Sequence, residues 1–243
     1  SEYTDRQISV LSRAGDDNVT IEVGPDHIKH KLPVSILKLY SDYFRGALGG
    51  QWTESADGIK LEDVEPAIFN VFVNWIYSQE LPSSDVDWVI TSEAADASTE
   101  YNHDFILRTG DMLRIKTYVF ADCFLVPKLQ LALNQQIVNR RILASILTTD
   151  RDFRFRVWYD VVLYAFENLP PTSKLLDFMV DWHCNTYDSR RLEGENKELQ
   201  SSGRLPYEFL VRVMDRYGGN NTPVPLHPRM TYVEKEVIAV EDE

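Results

Sequence analysis

His30 and Lys31 stand side by side in "HKLPVSILKLYSDYFRG" (30–46). An imidazole that titrates near neutrality, next to an ammonium, can shuttle a proton or hold an anion. A second stretch, Trp182-His183-Cys184, offers two donors to a soft metal. Neither survives a reading of its surroundings. "HIKHKL" (27–32) alternates apolar and polar, so His30 shares a face with Ile28 and Leu32 while Lys31 points to solvent. His183 and Cys184 are neighbours on a predicted helix and diverge by ~100°. No second pair with zinc spacing accompanies them. The chain has no GxSxG, phosphate loop, HExxH or Rossmann glycine pattern. Carboxylates are plentiful, but none is singled out by an apolar setting that would shift its pKa. The expectation is a non-catalytic protein with no cofactor and no metal.

Composition narrows the remaining classes. The 243 residues are 44% hydrophobic and 12% aromatic, enough for a substantial core. Asp and Glu total 38 against 25 Lys and Arg, a formal charge of −13 that disfavours a phosphate backbone as partner. Two distant cysteines, Cys123 and Cys184, fit a reducing compartment, the cytoplasm or nucleus. No apolar run is long enough to cross a bilayer.

The elements that must position these residues follow from periodicity. "VTIEVG" (19–24) and "HIKHKL" form a β-hairpin with one buried face. Pro33 suits the first turn of a helix over about 33–39, and a second helix spans about 41–48. "GIKLEDV" (58–64) is a third strand, and Pro66 opens a helix that is apolar around most of its circumference. Residues 83–106 are rich in Ser, Ala, Asp and Glu, contain no Lys or Arg, and are expected to be a mobile acidic insertion. Asp111 is expected to cap a helix through "MLRIKTYVFADCF", and Pro127 to open its antiparallel mate. Helices over about 153–168, 173–187 and 206–217 follow. Tyr118, Phe120 and Phe124 recur at core-like intervals and read as packing.

The order of these elements, together with "LPVSILKLYSDYFRGALGGQWTES", "IKLEDVEPAIFNVFVNWIYSQEL" and "YVFADCFLVPKLQ", resembles the BTB/POZ domain, particularly its variant common in filamentous fungi. The resemblance implies an α+β core, a small three-stranded sheet with surrounding helices, over 19–140. An N-terminal segment (1–18), an all-α extension (150–218) and an extended acidic tail (219–243) would flank it. It also sets the register. The family's common His-Lys pair falls on Pro33 and Val34, counted back from Ser41, so His30-Lys31 are not that pair. Asn18 stands where many members carry Asp.

The same resemblance supplies the site expectations. Its core motif maps to Leu37, Ser41, Tyr43, Phe44, Trp75, Tyr77, Ala121 and Asp122. A homodimer would cover Ile36 and Leu39, which fall on the flank and outer side of the first helix once Leu37 faces inward. The competing cover is the segment "ISVLSRA" (8–14) or a C-terminal helix. Many members are adaptors for a cullin-type ubiquitin ligase, which here would meet Met112, Leu113, Arg114 and Lys116. Arg114 and Lys116 stand where an acid is usual, which weakens that reading. A scaffold or corepressor-type assembly protein is the alternative.

Overall fold

The computed structural model describes residues 17–49, 58–92, 103–147, 158–187 and 203–218. The chain divides into two compact units after Gln130. The expected N-terminal cover (8–14), the core of the acidic insertion (93–102) and the tail (219–243) lie outside the described residues.

The first unit is built on a three-stranded sheet in the order β2-β1-β3, with β1 Asn18–Val23, β2 Ile28–Pro33 and β3 Ile59–Leu61. β1 runs antiparallel to β2 and parallel to β3. Alternation decides its faces: Val19, Ile21 and Val23 are buried, as are Ile59 and Leu61 on β3. His30 lies opposite Ile21 and sets its ring edge-on to Phe69, centroids 4.8 Å apart. Ile28 corrects the simple alternation. It is 44% exposed, because it begins β2 where the hairpin turn leaves the sheet. Gly58 enters β3 at φ +84°, and a Cβ there would stand 2.6 Å from the carbonyl oxygen of Thr20.

Helices α1 (Val34–Tyr40) and α2 (Asp42–Ala47) follow β2. Pro33 is the N-cap of α1, where its missing N–H costs nothing. α3 (Pro66–Ser78) buries Ile68, Phe69, Val71, Phe72, Trp75 and Ile76, which makes it the central helix of the unit. It ends on Gln79 in the left-handed conformation, whose side-chain amide donates back to the Trp75 carbonyl.

The next segment departs from the expected loop. Residues Asp85–Thr91 form a helix, α4, that buries Trp88 and Val89. Its start is fixed by a capping box: Ser84 accepts from the Asp87 N–H and Asp87 accepts from the Ser84 N–H. A further bond from Ser83 joins these in holding the Asp87 carboxyl below its usual range. α5 runs from His103 to Cys123. Asp111 is therefore buried in mid-helix and caps nothing. Gly110 sits inside the helix because a Cβ would stand 2.8 Å from Asp85 Oδ1 and 3.1 Å from Arg114 Nη1. α6 spans Pro127–Leu147 and contains the division between the units.

The second unit has α7 (Tyr159–Asn168), α8 (Lys174–Thr186) and α9 (Tyr207–Gly218). Val162, Val180, Cys184 and Phe209 form its small core, with Phe166, Leu205 and Val213 around it. α8 and α9 are joined by Asp177–Arg212 at 3.0 Å and Asp181–Arg216 at 2.6 Å. His183 is enclosed by Tyr159, Tyr187 and Phe209, and burial pushes its pKa down to about 4.

Candidate interaction surfaces

The region expected to carry function is organised by Ser41. Alone between α1 and α2, it is fully buried and serves three elements. Its Oγ accepts from the Phe44 N–H at 3.1 Å, capping α2, and donates to the Phe124 carbonyl at 2.7 Å, just past α5. The Asp42 N–H donates to the Leu125 carbonyl at 3.2 Å, a second tie to the same turn. Behind this joint Phe44, Phe72, Phe120 and Phe124 form a ring cluster, the closest pair 4.3 Å between centroids. Tyr118 and Phe120 are buried in the same way, so these aromatics fill a core.

Of the motif residues, Leu37, Ser41, Phe44, Trp75 and Ala121 are internal. Asp122 is half-buried and accepts from the Gln130 side-chain amide. Tyr43 and Tyr77 correct the expectation of a core role, since both are exposed. Tyr43 keeps one edge on Phe44 and Phe124. Its neighbour in the motif takes the inward position, and the helical turn carries Tyr43 outward.

α1 sorts the two residues expected at a dimer contact. Ile36 is 1% exposed and packed inside the unit, so it presents nothing to a second chain. Leu39 is 44% exposed, although its neighbours Leu37 and Tyr40 are buried. The Arg45 guanidinium donates twice to the Lys38 carbonyl and pairs with Asp42 at 2.6 Å, locking the end of α1 to α2.

The four residues expected to meet a cullin separate as well. Leu113 is buried and Arg114 is 1% exposed, so neither belongs to a surface. Arg114 reaches Asp85 at 2.7 Å and Asp111 at 3.7 Å, with its guanidinium 5.1 Å from the Trp88 ring centre. This buried cation links α4 to α5 beside the buried side chains of Trp88 and Val89. Met112 and Lys116 are half-buried, and Lys116 is paired with Glu65 at the start of α3. The sequence held one signal for α4 that composition obscured, the Ser84-x-x-Asp87 box ahead of Trp88.

Among the described residues no group of three or more His, Cys, Asp or Glu is placed to hold a metal ion. None of their helices is long and apolar enough to cross a membrane. Residues 17–123 match the family model described as the BTB/POZ domain. No curated protein matches the chain.

Proposed function

The chain is a BTB/POZ-domain protein, a member of a family of protein-interaction modules, and from that premise we propose that it is a scaffold that pairs with a second copy of itself through the α1 face carrying Leu39. The observation that carries this reading is Leu39 itself, an exposed apolar side chain whose neighbours Leu37 and Tyr40 are turned inward. A two-fold contact would place Leu39 against its symmetry mate and remove both from water. As a dimer, the protein would hold two copies of a partner in one assembly.

An adaptor role for a cullin-type ligase is the second reading. It rests on Met112 and Lys116 alone, now that Leu113 and Arg114 are internal, and the Lys116 charge is met by Glu65. The scaffold needs neither residue.

Sedimentation of the full chain at low micromolar concentration, beside Leu39→Asp, tests the proposal. The wild type should sediment as a dimer and the variant as a folded monomer. A monomeric wild type would sink the reading. Capture of a cullin by the wild type, lost on Lys116→Glu, would move the assignment to the adaptor. Arg114 is unsuitable for that test because its reversal would break a buried ion pair.

A further inference from the structure

β2 is an edge of the sheet, and its register fixes which backbone groups are left over. Pro33 stands opposite Asn18 and has no N–H, so that pair is not a bonded one; the Val34 N–H donates instead to the Asp17 carbonyl at 3.1 Å. Bonded pairs then fall on every second residue, Leu32 with Val19, His30 with Ile21 and Ile28 with Val23. The N–H and C=O groups of Lys29 and Lys31 point away from β1. Among the described residues no strand takes them up. The side chains of β2 alternate in step. Lys29 and Lys31 are exposed on the outer face of the sheet, Lys29 beside Glu22 at 3.3 Å and Lys31 opposite Thr20. Ile28, His30 and Leu32 belong to the inner face, and Ile28 is 44% exposed at its rim. A strand fits this edge if it sets acidic side chains beside the two lysines and an apolar one beside Ile28.

Residues 233–237, "VEKEV", lie outside the described residues and have that pattern. Glu234 and Glu236 are two apart, as Lys29 and Lys31 are, and Val233 and Val237 fall on the opposite face. We propose that this segment adds to the free edge of β2 as a fourth strand, with its two glutamates against Lys29 and Lys31 and a valine against Ile28. The pattern reads the same from either end, so both strand directions give those pairs. One glutamate shares Lys29 with Glu22, and the other supplies Lys31 with the acid that Thr20 does not. Lys235 falls on the inner side beside His30, where its alkyl stem lies along the edge and its ammonium reaches water. Lysines and a proline on an edge strand ordinarily keep other chains from pairing with it. A strand whose glutamates meet those lysines escapes that penalty, which makes this edge selective.

Hydrogen exchange in the full chain, followed residue by residue by NMR, tests the pairing. β1 does not use the amides of Lys29 and Lys31, so they are protected only where another strand bonds to them. In the wild type they should exchange at least about tenfold more slowly than unpaired amides. Glu234→Lys with Glu236→Lys should abolish that protection. Lys29→Glu with Lys31→Glu should do the same, and the four substitutions together should restore it. The amides of His30 and Leu32, bonded to β1, should stay protected in every variant and report that the sheet is intact. Unprotected amides at 29 and 31 in the wild type would overturn the proposal. Protection that survives Glu234→Lys with Glu236→Lys would overturn it as well, because another segment would then cover the edge. So would a charge-swapped chain that stays unprotected, since the glutamate–lysine pairs would not be what selects the strand.

Discussion

The hydroxyl of Ser41 and the carbonyl of Phe124, 83 residues apart in sequence, are joined by a partly buried hydrogen bond of 2.7 Å. The same oxygen accepts the Phe44 N–H. The side chain thus starts α2 and holds the turn after α5, while the Ser41 backbone N–H ends α1 on the Leu37 carbonyl. Ser41→Ala removes a helix cap and leaves the Phe124 carbonyl without this donor, a loss of roughly 2–3 kcal/mol. Urea unfolding should show a lower midpoint at an unchanged slope. A midpoint equal to wild type would show that the joint carries no stability.

Arg114 poses the opposite question, because a charge buried among apolar neighbours contributes little net stability while its partners remain and costs much when one is lost. Arg114→Met leaves Asp85 and Asp111 facing each other without their cation and should destabilise the first unit by roughly 3–5 kcal/mol. Pairing it with Asp85→Leu should restore a large part of that loss. Thermal unfolding of both single variants and the double variant gives the coupling. Additive effects would contradict the idea that α4 is held to α5 by this pair.

These two sites also mark what the sequence could and could not convey. Ser41 is legible as an inward residue of the motif that the resemblance supplies, though not as a cap, and α3 because its apolar residues run right round the helix. α4 is obscured by its acidic surroundings, where the short apolar run of Val86, Trp88, Val89 and Ile90 is set among Ser, Asp and Thr and passes for part of a loop. The start of α5 falls too late in the sequence pattern, since Gly110 and Asp111 resemble a boundary; only the structure places the glycine against Asp85. Arg114 looks like a surface residue for the general reason that arginine seldom enters a core, and its two acidic partners come from a distant helix and from one turn away. Tyr43 and Tyr77 sit in motif segments, but membership of a motif does not specify which side of a helix a residue occupies.

Gly58 gives a third prediction at the edge of the sheet. Its φ of +84° disfavours any side chain, and the space is closed by backbone rather than by a movable side chain, with the Thr20 oxygen 2.6 Å from where a methyl carbon would sit. Gly58→Ala must therefore shift β3 away from β1, weakening the parallel pair Ile21–Ile59. A loss of at least about 2 kcal/mol is expected. Hydrogen exchange should quicken at β3 before the antiparallel β1–β2 pair is affected, and uniform protection across the sheet would count against the mechanism.

His183 makes the second unit sensitive to acid. Enclosed by Tyr159, Tyr187 and Phe209, its imidazole titrates at about 4 in the folded chain, against an ordinary value of 6.5. Above pH 6.5 the ring is neutral in both states and contributes no pH dependence. Between 6.5 and about 4 the unfolded chain takes up a proton that the folded chain refuses, so stability falls as pH drops. Below about 4 both states hold the proton and the loss levels off, after a total of roughly 3 kcal/mol. His183→Leu keeps an apolar side chain of similar size and should flatten the dependence across that window. The two proteins differ only at this residue, so the difference between their urea-midpoint profiles isolates the histidine. Parallel profiles for wild type and variant would mean that the imidazole is not shielded from water in the folded state.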